Sequence, residues 1–130
     1  MSYVQGFLVA VPKAKKQAYI QSAQAAAPIF KEYGALRIVE TWSETIADGK
    51  VTDFKMAVKA TPDEAVVFSW IEWPDQQTYE AAHARMQTDA RWQEMPEMPF
   101  DGKRMVWGGF EPIFDTQSEP WTGAGFASSS

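Results

Sequence analysis

Two glutamates stand out among the residues that could do chemistry, because each interrupts an apolar, aromatic-rich run. Glu40 lies in Leu36-Arg37-Ile38-Val39-Glu40-Thr41-Trp42, and Glu72 in Val67-Phe68-Ser69-Trp70-Ile71-Glu72-Trp73. Carboxylates set among rings, and beside each other, have raised pKa values, which suits a general acid or base. The alternative is structural: one or both reach solvent at strand ends or pair with Arg37 or Arg104, since ion pairs also perturb carboxylates. His83, the single histidine, is a second candidate, as a proton shuttle or a haem ligand. It stands four residues after Tyr79, which equally suits the flank of a helix, and it has no Asp or Glu at metal-ligand spacing.

Aromatic side chains form the other set. Six Trp, eight Phe and four Tyr occur in 130 residues, and each buries roughly 150–250 Å² when enclosed. Trp42, Phe68, Trp70, Trp73 and Trp107 could line a pocket for a flat apolar ligand; core or dimer packing accounts for them equally well. Gly108-Gly109 lacks the Lys-Ser/Thr of a phosphate loop and reads as a bulge or a close backbone approach. No Ser-His-Asp order, HExxH, Walker motif or dinucleotide fingerprint appears, and no metal or cofactor is expected.

Alternation and turn residues define the elements that must position these groups. Residues 3–11 read as a strand ended by Pro12, with Tyr3, Phe7, Val9 and Val11 on one face and Val4, Leu8 and Ala10 on the other. Residues 13–33 follow as a helix with a stripe at Ile20, Ala23, Ala27 and Phe30, and Pro28 predicts a kink or a break. Gly34 sits where a left-handed cap belongs. Residues 35–46 alternate as a second strand, placing Leu36, Ile38, Glu40 and Trp42 on one face. A short helix is expected over 53–60 behind Asp53, a third strand over 64–73, and a helix over 76–90 behind Asp75 with Tyr79, Ala82 and Met86 as its stripe. A fourth strand runs from Arg104 to Glu111. The order is βαββαβ, an α+β, ferredoxin-like arrangement with an antiparallel sheet. In that order strands two and three are neighbours, so Glu40 and Glu72 are expected to meet.

The first strand is apolar on both faces, and one helical layer covers one face only. A second copy of the chain is the natural cover, which predicts a homodimer. The expected organisation is one domain over 1–114, then a tail over 115–130 rich in Ser, Gly, Thr and Ala that Trp121 and Phe126 could pin.

Charge and cysteine content exclude several function classes. Seventeen acidic against twelve basic residues give a net charge of −5, which argues against nucleic acid or an anionic membrane as partner. Cysteine is absent, so disulfides, thiolate metal sites and cysteine nucleophiles are excluded and a reducing cytoplasm is suited. Residues 1–6 lack the features of a secretory leader, and no apolar run approaches the ~18 residues of a membrane span.

The run Met98-Pro99-Phe100-Asp101-Gly102-Lys103-Arg104-Met105-Val106-Trp107-Gly108-Gly109-Phe110-Glu111-Pro112 resembles the signature of the uncharacterised YbaA-like family, domain of unknown function 1428. Tyr3-Val4-Gln5-Gly6-Phe7, Gly34-Ala35-Leu36-Arg37-Ile38-Val39-Glu40 and Val67-Phe68-Ser69-Trp70-Ile71 are similar to it too, in the right order across residues 2–114. The resemblance implies a dimeric α/β-barrel, in which two ferredoxin-like sheets close on each other. That architecture hosts cofactor-free monooxygenases, isomerases, haem enzymes and proteins without known chemistry, so it does not set the activity. Three readings stand: a dimer that binds or transforms a small apolar or aromatic molecule in a sheet-lined cavity, a non-catalytic dimeric module, and an RNA-associated protein, the last opposed by the charge.

Overall fold

Strong β-formers end at Pro12, Pro74 and Pro112, and between these stops the chain builds its sheet. The computed structural model describes residues 2–117; the expected anchors Trp121 and Phe126 lie outside them. The strands are β1 (Tyr3–Pro12), β2 (Arg37–Ser43), β3 (Glu64–Trp73) and β4 (Val106–Phe110), and the helices α1 (Lys16–Glu32), α2 (Phe54–Ala57) and α3 (Gln76–Met86). The sheet order is β2-β3-β1-β4 with every neighbouring pair antiparallel. β1 and β2 therefore run parallel with β3 between them, and the fold is α+β and ferredoxin-like.

Side-chain caps start two of the helices where the sequence places them. Asp53 accepts from the Met56 amide at 2.7 Å, and Asp75 from the Thr78 amide at 2.7 Å. The second of these helices is shorter than expected, stopping at Met86 rather than 90. Likewise β2 is confined to 37–43 and β4 to 106–110, the latter preceded by a 3-10 turn at Gly102–Arg104 capped by Asp101. Gly34 takes φ 113° as the left-handed cap requires.

Pro28 does not divide the first helix. α1 runs unbroken through it from Lys16 to Glu32. Pro28 and Gln24, four residues earlier, are both exposed, so water can satisfy the carbonyl that loses its donor. The buried stripe is also one position away from the apolar one. It comprises Tyr19, Ser22, Ala26 and Ile29, while Ile20, Ala23, Ala27 and Phe30 flank it half-buried. Counting apolar residues passes over Tyr19 and Ser22, whose hydroxyls mask their inward position.

α1 and α3 lie on the same face of the sheet. Tyr79 of α3 packs its ring against Tyr3 and Trp73, and Phe30 of α1 packs edge-on to Trp73. Trp73 is only 1 % exposed, and its indole N–H donates to Gln5 Oε1 at 3.1 Å, satisfying both groups in the core. Two clusters of buried side chains form on this face. One gathers Ile29, Tyr33, Ile71 and Trp73; the other gathers Val9, Val11, Tyr19 and Val67.

The opposite face is covered in part by the chain itself. The excursion between β2 and β3 carries α2 over one end, where Val58 packs with Ala10 and Val66 at 1 % exposure. Phe54 of α2 meets the ring of Phe68. The remainder of that face is apolar and open: Phe68 is 47 %, Val106 46 % and Phe110 61 % exposed, beside half-buried Leu8, Val39 and Trp70.

Candidate functional site

Strand register decides which of the expected site residues can meet. Glu40 stands opposite Ser69, and Glu72 opposite Arg37 and Val4. Because side chains alternate along a strand, Glu40 and Ser69 project toward the helices and Glu72 toward the open face. The two glutamates are therefore not neighbours, although their strands are. Glu72 Oε2 accepts from the Trp70 indole at 3.1 Å and lies 3.7 Å from Arg37. Phe68 and Trp70 share its face.

Glu40 instead points into a cavity of about 300 Å³ between the sheet and the helices. Its floor comes from the sheet: Phe7 and Val9 of β1, Ile38 and Glu40 of β2, Ser69 and Ile71 of β3. One wall comes from α1, through Tyr19, Ala23, Ala26 and Phe30. The other comes from the end of α3 and the strap that follows it, through Met86, Trp92, Met95, Met98, Phe100 and Met105. Four methionines on one wall make a surface that can re-pack around different shapes. The void lies between the two buried clusters of this face, where small Ala23 and Ala26 leave the helix side unfilled.

Polar contacts within this apolar enclosure converge on one point. Tyr19 Oη donates to Glu40 Oε1 at 2.6 Å. Ser69 is buried beside them and acts on both groups, favouring the charged form of each. Burial holds the Glu40 carboxyl above its usual range, against the opposing pull of the Tyr19 and Ser69 hydroxyls. Burial together with the Glu40 charge pushes the Tyr19 phenol far up, so it remains a donor. Glu40 is exposed and lines the cavity, so its carboxylate is within reach of a molecule there. A carboxylate so placed can accept a proton or a hydrogen bond from a molecule in the void.

Two arginine clamps hold the strap over this space. Near its start, Arg91 meets Glu32 of α1 through both terminal nitrogens, at 3.1 and 2.7 Å, and Asp89 at 2.7 Å. Asp89 also accepts from Tyr33 Oη at 2.7 Å, and Tyr33 Oη accepts from the Trp92 indole at 3.0 Å. At its end, Arg104 grips both oxygens of Glu64 at 2.9 and 2.8 Å and donates to the Lys59 carbonyl at 2.8 Å. Hydrogen bonds from Arg104 draw the Glu64 carboxyl down to about 2. Bidentate pairs of this kind fix geometry as well as charge.

The tryptophans expected to wall a pocket do other work. Trp73 is core, and Trp70 lies on the open face. Trp42 packs near Tyr19, with ring centroids 6.4 Å apart, and its indole donates to Glu44 at 2.9 Å. Trp107 stacks on His83 at 5.3 Å and 23°, away from the cavity, so His83 sits on the flank of α3 between Trp107 and Tyr79. Gly109 answers to the expected close approach: a Cβ there would fall 2.6 Å from the Tyr3 hydroxyl.

Sequence reading missed Tyr19, Ser69 and the methionine wall. Ser69 had a signal, being a small polar residue on the inward face of an otherwise apolar strand. Tyr19 had none, since nothing in the sequence distinguishes its hydroxyl from a solvated one. Among the described residues no group of three or more His, Asp or Glu side chains is placed to hold a metal ion, and no helix is long and apolar enough to cross a membrane.

A family described as "Protein of unknown function (DUF1428)" matches residues 2–102. The chain is 60 % identical over 116 residues to "Uncharacterized protein YbaA" of Escherichia coli, covering 88 % of this chain and 99 % of that one. The protein of the same description in Shigella flexneri is equally similar. Among solved structures, a mutant of SnoaB, a cofactor-independent oxygenase from Streptomyces nogalater, aligns over 90 % of this chain and 98 % of its own at 12 % identity and TM-score 0.47. The de novo designed protein Foldit4 aligns over 86 % and 99 % at 11 % identity and TM-score 0.41. Likeness at that distance transfers no chemistry.

Proposed function

We propose that this chain, which belongs to the DUF1428 family, binds a small apolar or aromatic molecule in the cavity beneath the strap. The observation that carries the reading is the cavity itself: about 300 Å³ of apolar-walled space with one carboxylate at its floor. A dry apolar void of ~150 Å³ already admits benzene, so this one has room for a fused two-ring molecule. Leaving such a space empty in a small core costs stability that packing would otherwise supply. Native mass spectrometry of the protein purified without denaturation tests the reading. A co-purifying small molecule that is lost in Ala23→Phe, which fills the void, supports it; an empty protein that also fails to take up naphthalene overturns it.

The protein is further read as a homodimer. Phe68, Val106 and Phe110 are exposed together on the sheet face away from the cavity, and a face of that kind on a small domain marks an interface. A second copy laid on it leaves the cavity on the other side of the sheet untouched. Light scattering at micromolar concentration that finds a monomer removes this part. The cysteine-free composition suits a cytoplasmic protein, which cell fractionation checks.

A further inference from the structure

Resting on the reading of the cavity as a ligand site, we infer that Glu40 and Tyr19 select one chemical class: an aromatic molecule bearing a hydrogen-bond donor, a phenolic hydroxyl or an amine. Carboxylates and sulfonates of the same size are excluded. The selection follows from what the lining contains and what it lacks. Its polar side-chain groups are the Glu40 carboxylate, the hydroxyls of Tyr19 and Ser69 and the indole N–H of Trp92, and no Lys, Arg or His contributes to it. An anionic ligand therefore meets a carboxylate and no countercharge between apolar walls, where like charges repel more strongly than in water.

The donors already present are committed. Tyr19 spends its proton on Glu40 Oε1, and the indole N–H of Trp92 is taken by Tyr33 Oη. The Ser69 hydroxyl is likewise directed at Glu40 and Tyr19, so a ligand acceptor finds these side-chain donors already engaged. A ligand donor faces better terms. A carboxylate has roughly four lone-pair sites, so the Tyr19 and Ser69 hydroxyls leave it room for another donor. Glu40 lines the void, and a carboxylate set among apolar walls gains from an added charge-assisted hydrogen bond. The aromatic character of the ligand follows from the walls, where Phe7, Phe30, Trp92 and Phe100 supply ring faces and the methionine sulfurs supply edge contacts.

Calorimetric titration of the full chain at neutral pH with naphthalene, naphthol, naphthylmethylamine and naphthoate separates the levels of the argument. Naphthol and the amine are expected to bind about tenfold tighter than naphthalene or more, the scale of one hydrogen bond to a charged acceptor. Naphthoate is expected to bind at least about tenfold more weakly than naphthalene. Glu40→Gln is expected to erase the amine's advantage and to admit naphthoate. If naphthalene binds but the donors add nothing, or naphthoate binds as well as naphthol, the selectivity falls while the ligand site stands. If none of the four binds, the ligand site falls and the selectivity with it. The comparison among probes on the unaltered protein holds even where the Glu40 variant does not fold.

Discussion

Tyr19 of α1 and Glu40 of β2 are joined across the helix–sheet boundary by a 2.6 Å hydrogen bond, and both line the same cavity. The bond anchors the helix to an outer strand while keeping a carboxylate among apolar walls. A carboxylate so placed is held at some cost to the fold, and the cost depends on pH.

Burial raises the Glu40 carboxyl above its ordinary 4.5 in the folded protein. Between the unfolded and folded values the native state keeps a proton that the unfolded chain has released. Its contribution to stability is therefore greatest below about 4.5 and declines as pH rises through the folded value. Glu40→Gln keeps the acceptor for Tyr19 without the charge. It is expected to raise the melting temperature by a few degrees at pH 8 and to leave it unchanged at pH 4. Equal shifts at both pH values in thermal denaturation would contradict this account.

Glu64 is expected to behave in the opposite sense. The hydrogen bonds from Arg104 hold its carboxyl at about 2 rather than 4.5, so the stabilisation is complete above 4.5 and is lost as pH falls toward 2. Arg104→Ala leaves Glu64, whose side chain is only 9 % exposed, without its charged partner and with the Thr61 amide as remaining donor. A loss of about 1–3 kcal/mol at neutral pH is expected, shrinking at pH 3, as urea titrations at the two pH values will show.

Gln5 and Trp73 satisfy each other in the core through a 3.1 Å hydrogen bond. Gln5→Leu keeps the volume but strands the indole N–H. The expected cost is about 1–3 kcal/mol in chemical denaturation. A neutral result would mean that the indole finds another acceptor.

Gly109 has no room for a side chain, because a Cβ would overlap the Tyr3 ring, 2.7 Å from Cε2. Gly109→Ala is expected to lower the melting temperature, and Tyr3→Ala in the same chain to relieve most of that loss. Additive effects of the two changes would contradict the steric account.

Phe68 is 47 % exposed on the open face, opposite Leu8 of β1. Phe68→Glu places a charge there and is expected to convert a homodimer into monomers in light scattering. The cavity on the other face should still take naphthol. A mass unchanged by the substitution would move the dimer contact elsewhere.

Runs of strong β-formers over Tyr3–Val11 and Glu64–Trp73, alternation over residues 35–46, proline stops and aspartate caps are local signals, and they carried the element order and the ferredoxin-like topology. They also put Glu40 on one face with Leu36, Ile38 and Trp42, since alternation depends only on neighbours along the strand. Whether Glu40 meets Glu72 depended on register between β2 and β3, a relation between segments distant in sequence, and the Glu40–Ser69 pairing put the two carboxylates on opposite faces. The same holds for Tyr19, whose inward position depends on how α1 rotates against the sheet, and for the strap, where Met95, Met98 and Phe100 have no periodicity. Pairing register, helix rotation and strap position are set by long-range packing, and together they made the cavity.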